Sequence, residues 1–346
     1  MSHYEGKTLV PLSGLPIHRK PGKRIYLRAP MQLEVFNRSK YRDGSVPGDD
    51  VPLVVPGAVY GVFDGATDAR GTVVNGVAAG RLAATIVASE MAKIALDPAC
   101  DTLKGKDIID RLSGVLKAET DPLGLEIPPS TTIAVAFDCG ATWRFLLLGD
   151  SGIRINGVDV HHDEKVIDDV SAFARVALFN EISRWNADLD EVESLTRRGI
   201  FLGFDNAIKD GILSAARAQT IVDETIAATG LGNIGMIVAD FLRGGIQTQH
   251  RFGNSVGNSL CYDTMNGTAQ QLNSAQDFKR AKADVTSIEI FTDGYPSLPN
   301  CVSLVAWEAE FQVAEEHDFN KTNRFARVRG STTAEFYDDR TVIILR

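Results

Sequence analysis

Four acidic positions have the residue type and setting to do metal or acid–base chemistry: Asp64 in GVFDG, Asp150 in FLLLGDSG, Asp293 in EIFTDG and Asp338 in FYDDRTVII. Each stands where an apolar run meets a turn. Taken singly, each has a plain structural explanation, because Asp-Gly closes hairpins, Asp before Ser-Gly makes turns and paired aspartates cap an edge. Gathered at one point, such carboxylates suit hard divalent ions, magnesium or manganese, which take a few carboxylate oxygens and fill the remaining positions with water. Two such ions roughly 3.5–4 Å apart acidify a water bridging them, orient it for in-line attack and offset charge on a phosphoryl group. Neither a protein nucleophile nor a cysteine is then required.

The elements that must position these acids are legible from apolar patterning. Ala58, Val59, Tyr60, Val62 and Phe63 form a buried strand stopped by Asp64-Gly65. Small and branched residues at helical spacing predict a helix over 76–94, and a second follows over 106–119, ended by the prolines of PLGLEIPPS. TTIAVAFD and TWRFLLLGD read as two strands joined at Cys139-Gly140-Ala141. Helical periodicity returns over 164–198 and 206–229, with Val166, Val170, Phe173 and Ala177 on one apolar face. HRFGNSVGNSLCYDTMNGT reads as strand and loop, 275–283 as a helix, and TSIEIFTDG and the C-terminal run as strands. At the other end, RIYLRAPMQLEVF is extended and SKYRDGSVPGDD is a loop. No repeat or linker divides the chain, so one domain over 1–346 is expected, with the helical stretch 164–230 as an insertion or flap.

Composition sets the outer limits. The 346 residues are 44% hydrophobic and 23% charged, as in ordinary globular proteins. With 45 acidic against 36 basic residues the net charge is −9, which disfavours a nucleic-acid partner. Cys100, Cys139, Cys261 and Cys301 are far apart and show no metal-ligand spacing, consistent with a reducing compartment. The N-terminal MSHYEGKTLVPLSGLP has no export pattern, and no window holds about 18 uncharged apolar residues, so a cytoplasmic protein with no membrane partner is expected.

In this order the acidic strand ends resemble the signature of the metal-dependent protein serine/threonine phosphatases, the type 2C family. The matching pieces are GVFDG with the small-residue helix after it, PSTTIAVAF followed by FLLLGDSG, then EIFTDG, and DDRTVII at the C-terminal end. The likeness runs from about Asp49 to Arg346 and is poor through the helical stretch and up to about Thr286. It implies an α+β fold, a four-layer α/β/β/α sandwich of two mainly antiparallel sheets flanked by helices. The implied function is hydrolysis of phosphoserine or phosphothreonine in proteins, opposing a kinase, by a water bridging two Mn2+ or Mg2+ ions. Asp64 would bridge the pair and the Gly65 carbonyl would touch one ion. Asp293 and Asp338 would each hold one side, Asp50 would anchor an ion through water, and Asp150 would bind a weak third. The resemblance thus implies Asp64, Asp293 and Asp338 as the catalytic acids.

Three departures from the family stand out. Ala66-Thr67-Asp68 replaces the His-Gly-Gly that follows Asp-Gly in many members, so a leaving-group histidine is missing. Ser297 stands four positions beyond Asp293, where the family often has another acid, which weakens the third site. The phosphate-binding arginine has Arg42 as first candidate and Arg38 as second, since a guanidinium suits a phosphate dianion. Two other functions stay open: a catalytically weak regulatory or binding module, and a phosphatase of small phosphorylated metabolites. GLGNIG (230–235) matches a dinucleotide fingerprint in letters but follows a helix, not a strand. His161-His162 reads as part of a hydrophilic loop, and Arg19, Lys20, Lys23 and Arg24 as a solvated basic arm.

Overall fold

Alternation along the strands builds the layers. The computed structural model describes residues 31–68 and 70–346, and the basic arm at Arg19–Arg24 lies outside them. The first half runs β1 Leu33–Arg38, β2 Val51–Val55, β3 Val59–Phe63, β4 Val73–Val74, β5 Val77–Ala78, α1 Ala79–Leu96, α2 Gly105–Thr120, β6 Ile133–Cys139, β7 Thr142–Leu148, β8 Gly152–Ile155 and β9 Asp159–His161. Five helices follow: α3 Val166–Ile182, α4 Leu189–Leu202, α5 Phe204–Lys209, α6 Ala215–Thr229 and α7 Gly235–Gly244. The chain closes with β10 Gln276–Ala281, β11 Ile288–Phe291, α8 Leu304–His317 and β12 Arg340–Leu345. Gln32–Arg346 form one compact unit.

One sheet has the order β1-β12-β11-β8-β9 and the other β10-β7-β6-β3-β2, while β4 and β5 make a small separate hairpin. Every pairing within the two large sheets is antiparallel. Side chains alternate across each strand. In β6, Ile133, Val135 and Phe137 face α1 and α2, whereas Ala134 and Ala136 face the opposite sheet. In β12, Ile343 and Leu345 enter the space between the sheets, and Val342 and Ile344 pack with Trp307 and Phe311 of α8. The layers are therefore α1 and α2, sheet, sheet, α8. Helices α3 to α7 bury an apolar core of their own, including Val170, Leu178, Ile200, Ile221 and Phe241.

Three local expectations are corrected. Residues 275–283 are not helical: they hold the edge strand β10, paired with β7 from Gln276 opposite Leu147 to Ala281 opposite Thr142. Phe278 stacks on Phe145 at 5.1 Å while its neighbour Asp277 takes both Nε and Nη2 of Arg144, so successive side chains engage opposite sides. The helical stretch does not stop near 230, because Gly230 (φ 69°) caps α6 in the left-handed region and the chain turns into α7. GLGNIG thus joins two helices instead of following a strand. His161, expected in a loop, ends β9.

Candidate functional site

The acids at the strand ends are brought together by two kinds of local device. The first is a set of hydroxyl and amide braces. The Asp64 carbonyl accepts from Thr131 Oγ1 at 2.8 Å and from the Thr132 amide at 2.9 Å, and its amide donates to Thr132 Oγ1 at 3.1 Å. The PSTT segment thereby fixes the end of β3 against the start of β6. The second is close backbone approach at glycine. A Cβ on Gly65 would lie 2.3 Å from the Gly80 carbonyl carbon, and one on Gly294 would lie 1.8 Å from the Asp339 carbonyl oxygen. Only glycine lets GVFDG reach the first turn of α1, and FTDG reach DDR, at these distances.

Asp64, Asp150, Asp293 and Asp338 line the wall of one cavity of about 230 Å³. Asp50 lies behind it, buried, with Oδ2 accepting from Thr292 Oγ1 at 2.7 Å and Thr341 Oγ1 at 2.9 Å. Its Oδ1 is buried with no hydrogen-bond partner. Burial pushes the Asp64 carboxyl well above its ordinary range, and the charges of Asp50, Asp293, Asp338 and Asp150 push it further. Burial and then Asp339 do the same to Asp50. Asp338 is pushed up to about 7, by burial first and then by Asp293.

Neighbouring acids serve differently. Asp339 accepts from the Lys40 amide at 2.6 Å, from Lys40 Nζ at 3.1 Å and from the Asp49 amide at 2.8 Å. Burial pushes its carboxyl up, but Lys40 and the two amides outweigh that and hold it below the ordinary range. Asp49 is also taken by Lys40 Nζ, at 3.0 Å, and by Thr67. These two acids brace the loops and leave Asp338 on the cavity wall.

Such crowded, burial-destabilised carboxylates fit cations. Among the described residues no group of three or more acidic, histidine or cysteine side chains is gathered closely enough to hold a metal ion by itself. The donor set is instead a few carboxylate oxygens spread over a cavity wall, with the orphaned Asp50 Oδ1 beside them, which suits ions that keep much of their water. A third ion fits poorly. Asp150 Oδ2 is 2.8 Å from Lys165 Nζ, and Ser297 Oγ donates to Glu310 on α8 at 2.7 Å.

The two arginines expected at the phosphate do not reach this cavity. Arg42 Nη2 pairs with Glu315 at 2.7 Å, its Nε donates to the Thr332 carbonyl at 2.9 Å, and its guanidinium covers the Phe336 ring. Arg38 also lies over Phe336 and donates to the Arg42 carbonyl. Both are committed to holding β1 and the loop after it against the 315–336 region. The arginine on the cavity wall is Arg329, whose Nε and Nη1 are buried without partners. Arg327 lies 3.7 Å from Asp293. An adjoining cavity is lined by Arg324, Arg327 and Arg329 and shares Asp168, Asp293 and Asp338 with the first.

Sequence reasoning also missed Lys165, Asp168, Gln249, His250 and Tyr262, which the helical section and the loop after it place on the wall. The available signal was the charged DEKVIDD opening α3. Asp168 stands in its first turn, pushed up to about 6 by burial against the pull of Lys165.

No protein-family profile matches the sequence, and no curated protein is significantly similar to it. Solved structures similar to the chain include bacterial serine/threonine phosphatases. One, from Staphylococcus aureus, is 11% identical with a TM-score of 0.45, over 94% of this chain and 98% of that one. Another, from Mycobacterium tuberculosis, is 14% identical with a TM-score of 0.42, over 91% of this chain and 97% of that one. A structure of the catalytic domain of a serine/threonine protein phosphatase in complex with two manganese ions is likewise 14% identical, TM-score 0.42, over 91% and 98%. At that overlap, the chemistry of this chain has to be read from its own carboxylates.

Proposed function

We propose that this chain is a metal-dependent phosphatase that hydrolyses phosphoserine and phosphothreonine in proteins, opposing a protein kinase. The observation that carries the reading is the electrostatic position of Asp64: a carboxylate at a strand end, destabilised by burial and by four other acids from distant parts of the sequence. Asp64, Asp293 and Asp338, with the Gly65 carbonyl and with Asp50 behind them, would hold two divalent ions, manganese or magnesium. Bound there, such ions supply Lewis acidity that activates water and offsets phosphoryl charge.

The chain's own residues do the rest. Thr131 and Thr132 fix the direction of Asp64. Lys40 pairs with Asp49 and Asp339 and so offsets part of the repulsion that Asp339 exerts on Asp50 and Asp338. Arg329, on the cavity wall and paired through Nη2 with Glu335 at 3.3 Å, would have to turn to offer a phosphoryl oxygen its buried, unpaired Nε and Nη1, a move favoured because an unpaired buried donor costs on the order of 1–3 kcal/mol. The adjoining arginine-lined cavity favours a protein substrate over a small metabolite, because it gives the chain around the phosphoresidue a place to lie.

The test is phosphate release from a phosphothreonine peptide with manganese, with a chelator, and with Asp293→Asn, alongside metal content by elemental analysis. Metal-dependent release that falls together with metal content in Asp293→Asn supports the reading. A protein that binds manganese without turnover is the regulatory module instead, and one that prefers small phosphorylated metabolites is a metabolite phosphatase.

A further inference from the structure

Asp150 sits at the end of β7 on the cavity wall, where its carboxylate could serve a cation, yet a cation is already there. Lys165 Nζ stands 2.8 Å from Asp150 Oδ2, with both side chains largely buried, and 5.4 Å from the Tyr262 ring centre. The ammonium is held from three directions. Lys165 is the residue immediately before α3, in extended backbone, so its side chain leaves the start of the helix. Asp168, one turn on, carries a negative charge near it and is itself fixed by Gln249 Nε2 at 2.9 Å. Tyr262 presents its ring from the loop after the helical section.

A divalent ion on the same Asp150 oxygens would be pressed against this ammonium in a site with little water to screen the repulsion. Ser297, at the position where the type 2C resemblance implies a further acid, turns to Glu310, and the two acids that an ion here would use, Asp150 and Asp168, are those Lys165 already engages. A lysine differs from an ion in one respect that matters: it cannot exchange or be chelated, and it stays charged beside two carboxylates.

We propose that the Lys165 ammonium is a built-in replacement for a third divalent ion, so that this cavity takes up two exchangeable ions and the helical section supplies the third positive charge. The proposal rests on the metal-dependent reading above. It explains why the five-helix section abuts the acids: its start carries the lysine and Asp168, and the chain after it carries Gln249 and Tyr262, which hold them.

Counting manganese on the intact protein tests it, by equilibrium dialysis with elemental analysis and by the spectrum of free manganese on titration. The parent is expected to bind two ions, and Lys165→Met three, the added one disappearing again in Lys165→Met with Asp150→Asn. Lys165→Arg, which keeps a cation, should stay at two. Three ions on the parent overturn the proposal and leave the metal-dependent reading standing, and the parent count holds whether or not any variant folds. Two ions on a folded Lys165→Met also overturn it. No manganese on the parent overturns both, and is distinguished by that.

Discussion

Asp338 and Asp339 are adjacent in sequence and opposite in use: Asp339 receives the Lys40 amide at 2.6 Å and the Lys40 ammonium at 3.1 Å, while Asp338 lines the cavity. Asp339→Asn therefore leaves a buried lysine short of a partner and should cost about 3 kcal/mol in denaturant unfolding. Asp338→Asn should lower metal-supported turnover by at least about 100-fold, the loss of a ligand being no milder than the loss of its support, without lowering the melting temperature of the metal-free protein. Equal effects of the two on stability would contradict the division.

Gly65 permits the approach of β3 to α1. Ala at this position places a methyl group 2.3 Å from the Gly80 carbonyl carbon, where backbone and not a flexible side chain must move. Gly65→Ala should destabilise by on the order of 1–3 kcal/mol and weaken manganese binding, because the same shift displaces the Gly65 carbonyl. Calorimetric titration with manganese and chemical denaturation together check it.

The acids also predict an unusual pH dependence for the metal-free protein. Asp64 stands well above the ordinary range, by burial and then Asp50, Asp338 near 7, by burial and then Asp293, and Asp168 near 6, chiefly by burial. Each binds its proton more tightly in the folded protein than in the unfolded chain. Their contribution is favourable below about pH 4 and is lost as pH rises toward about 7. The chelated protein should melt lower at about pH 8 than at about pH 5. Manganese, which needs deprotonated ligands, should raise the melting temperature more at the higher pH. A metal-free melting temperature that climbs with pH over this window would contradict the crowding of the acids.

How much of this was legible follows from where each residue lies. The acids stood out because each closes an apolar strand, a local signal, and because an antiparallel sandwich gathers strand ends at one edge. Arg329 and Lys165 gave no such signal. Each reaches the wall through contacts remote in sequence, Arg329 from a loop that Arg175, Glu193 and Arg197 anchor to α3 and α4. Arg42 suggested itself by nearness to Asp49 along the chain, yet its guanidinium is drawn off by Glu315 and Phe336. Strand β10 read as helix because its QDFKRA stretch is short, charged and at an edge, where half its side chains face water. Helix α8, not anticipated at all, had a usable mark in Ser303, whose side chain caps the Ala306 amide ahead of Trp307 and Phe311.

The two arginines give a direct contrast. Arg329→Ala should raise KM for a phosphopeptide by about 10-fold or more, the loss of a charged hydrogen bond of about 1.5–3 kcal/mol, and weaken inhibition by inorganic phosphate. Arg42→Ala should lower the melting temperature instead, since it leaves Glu315 without its guanidinium partner and removes the guanidinium nearest the Phe336 ring. The reverse pattern would restore Arg42 as the phosphate ligand.

The central claim is that the strand-end acids share cations. Crystals soaked in manganese and measured at the manganese absorption edge test it most directly. Two anomalous peaks among Asp50, Asp64, Asp293 and Asp338, absent in Asp64→Asn, are the predicted result. No peak in that cavity at saturating manganese, with the acids as placed here, would contradict it.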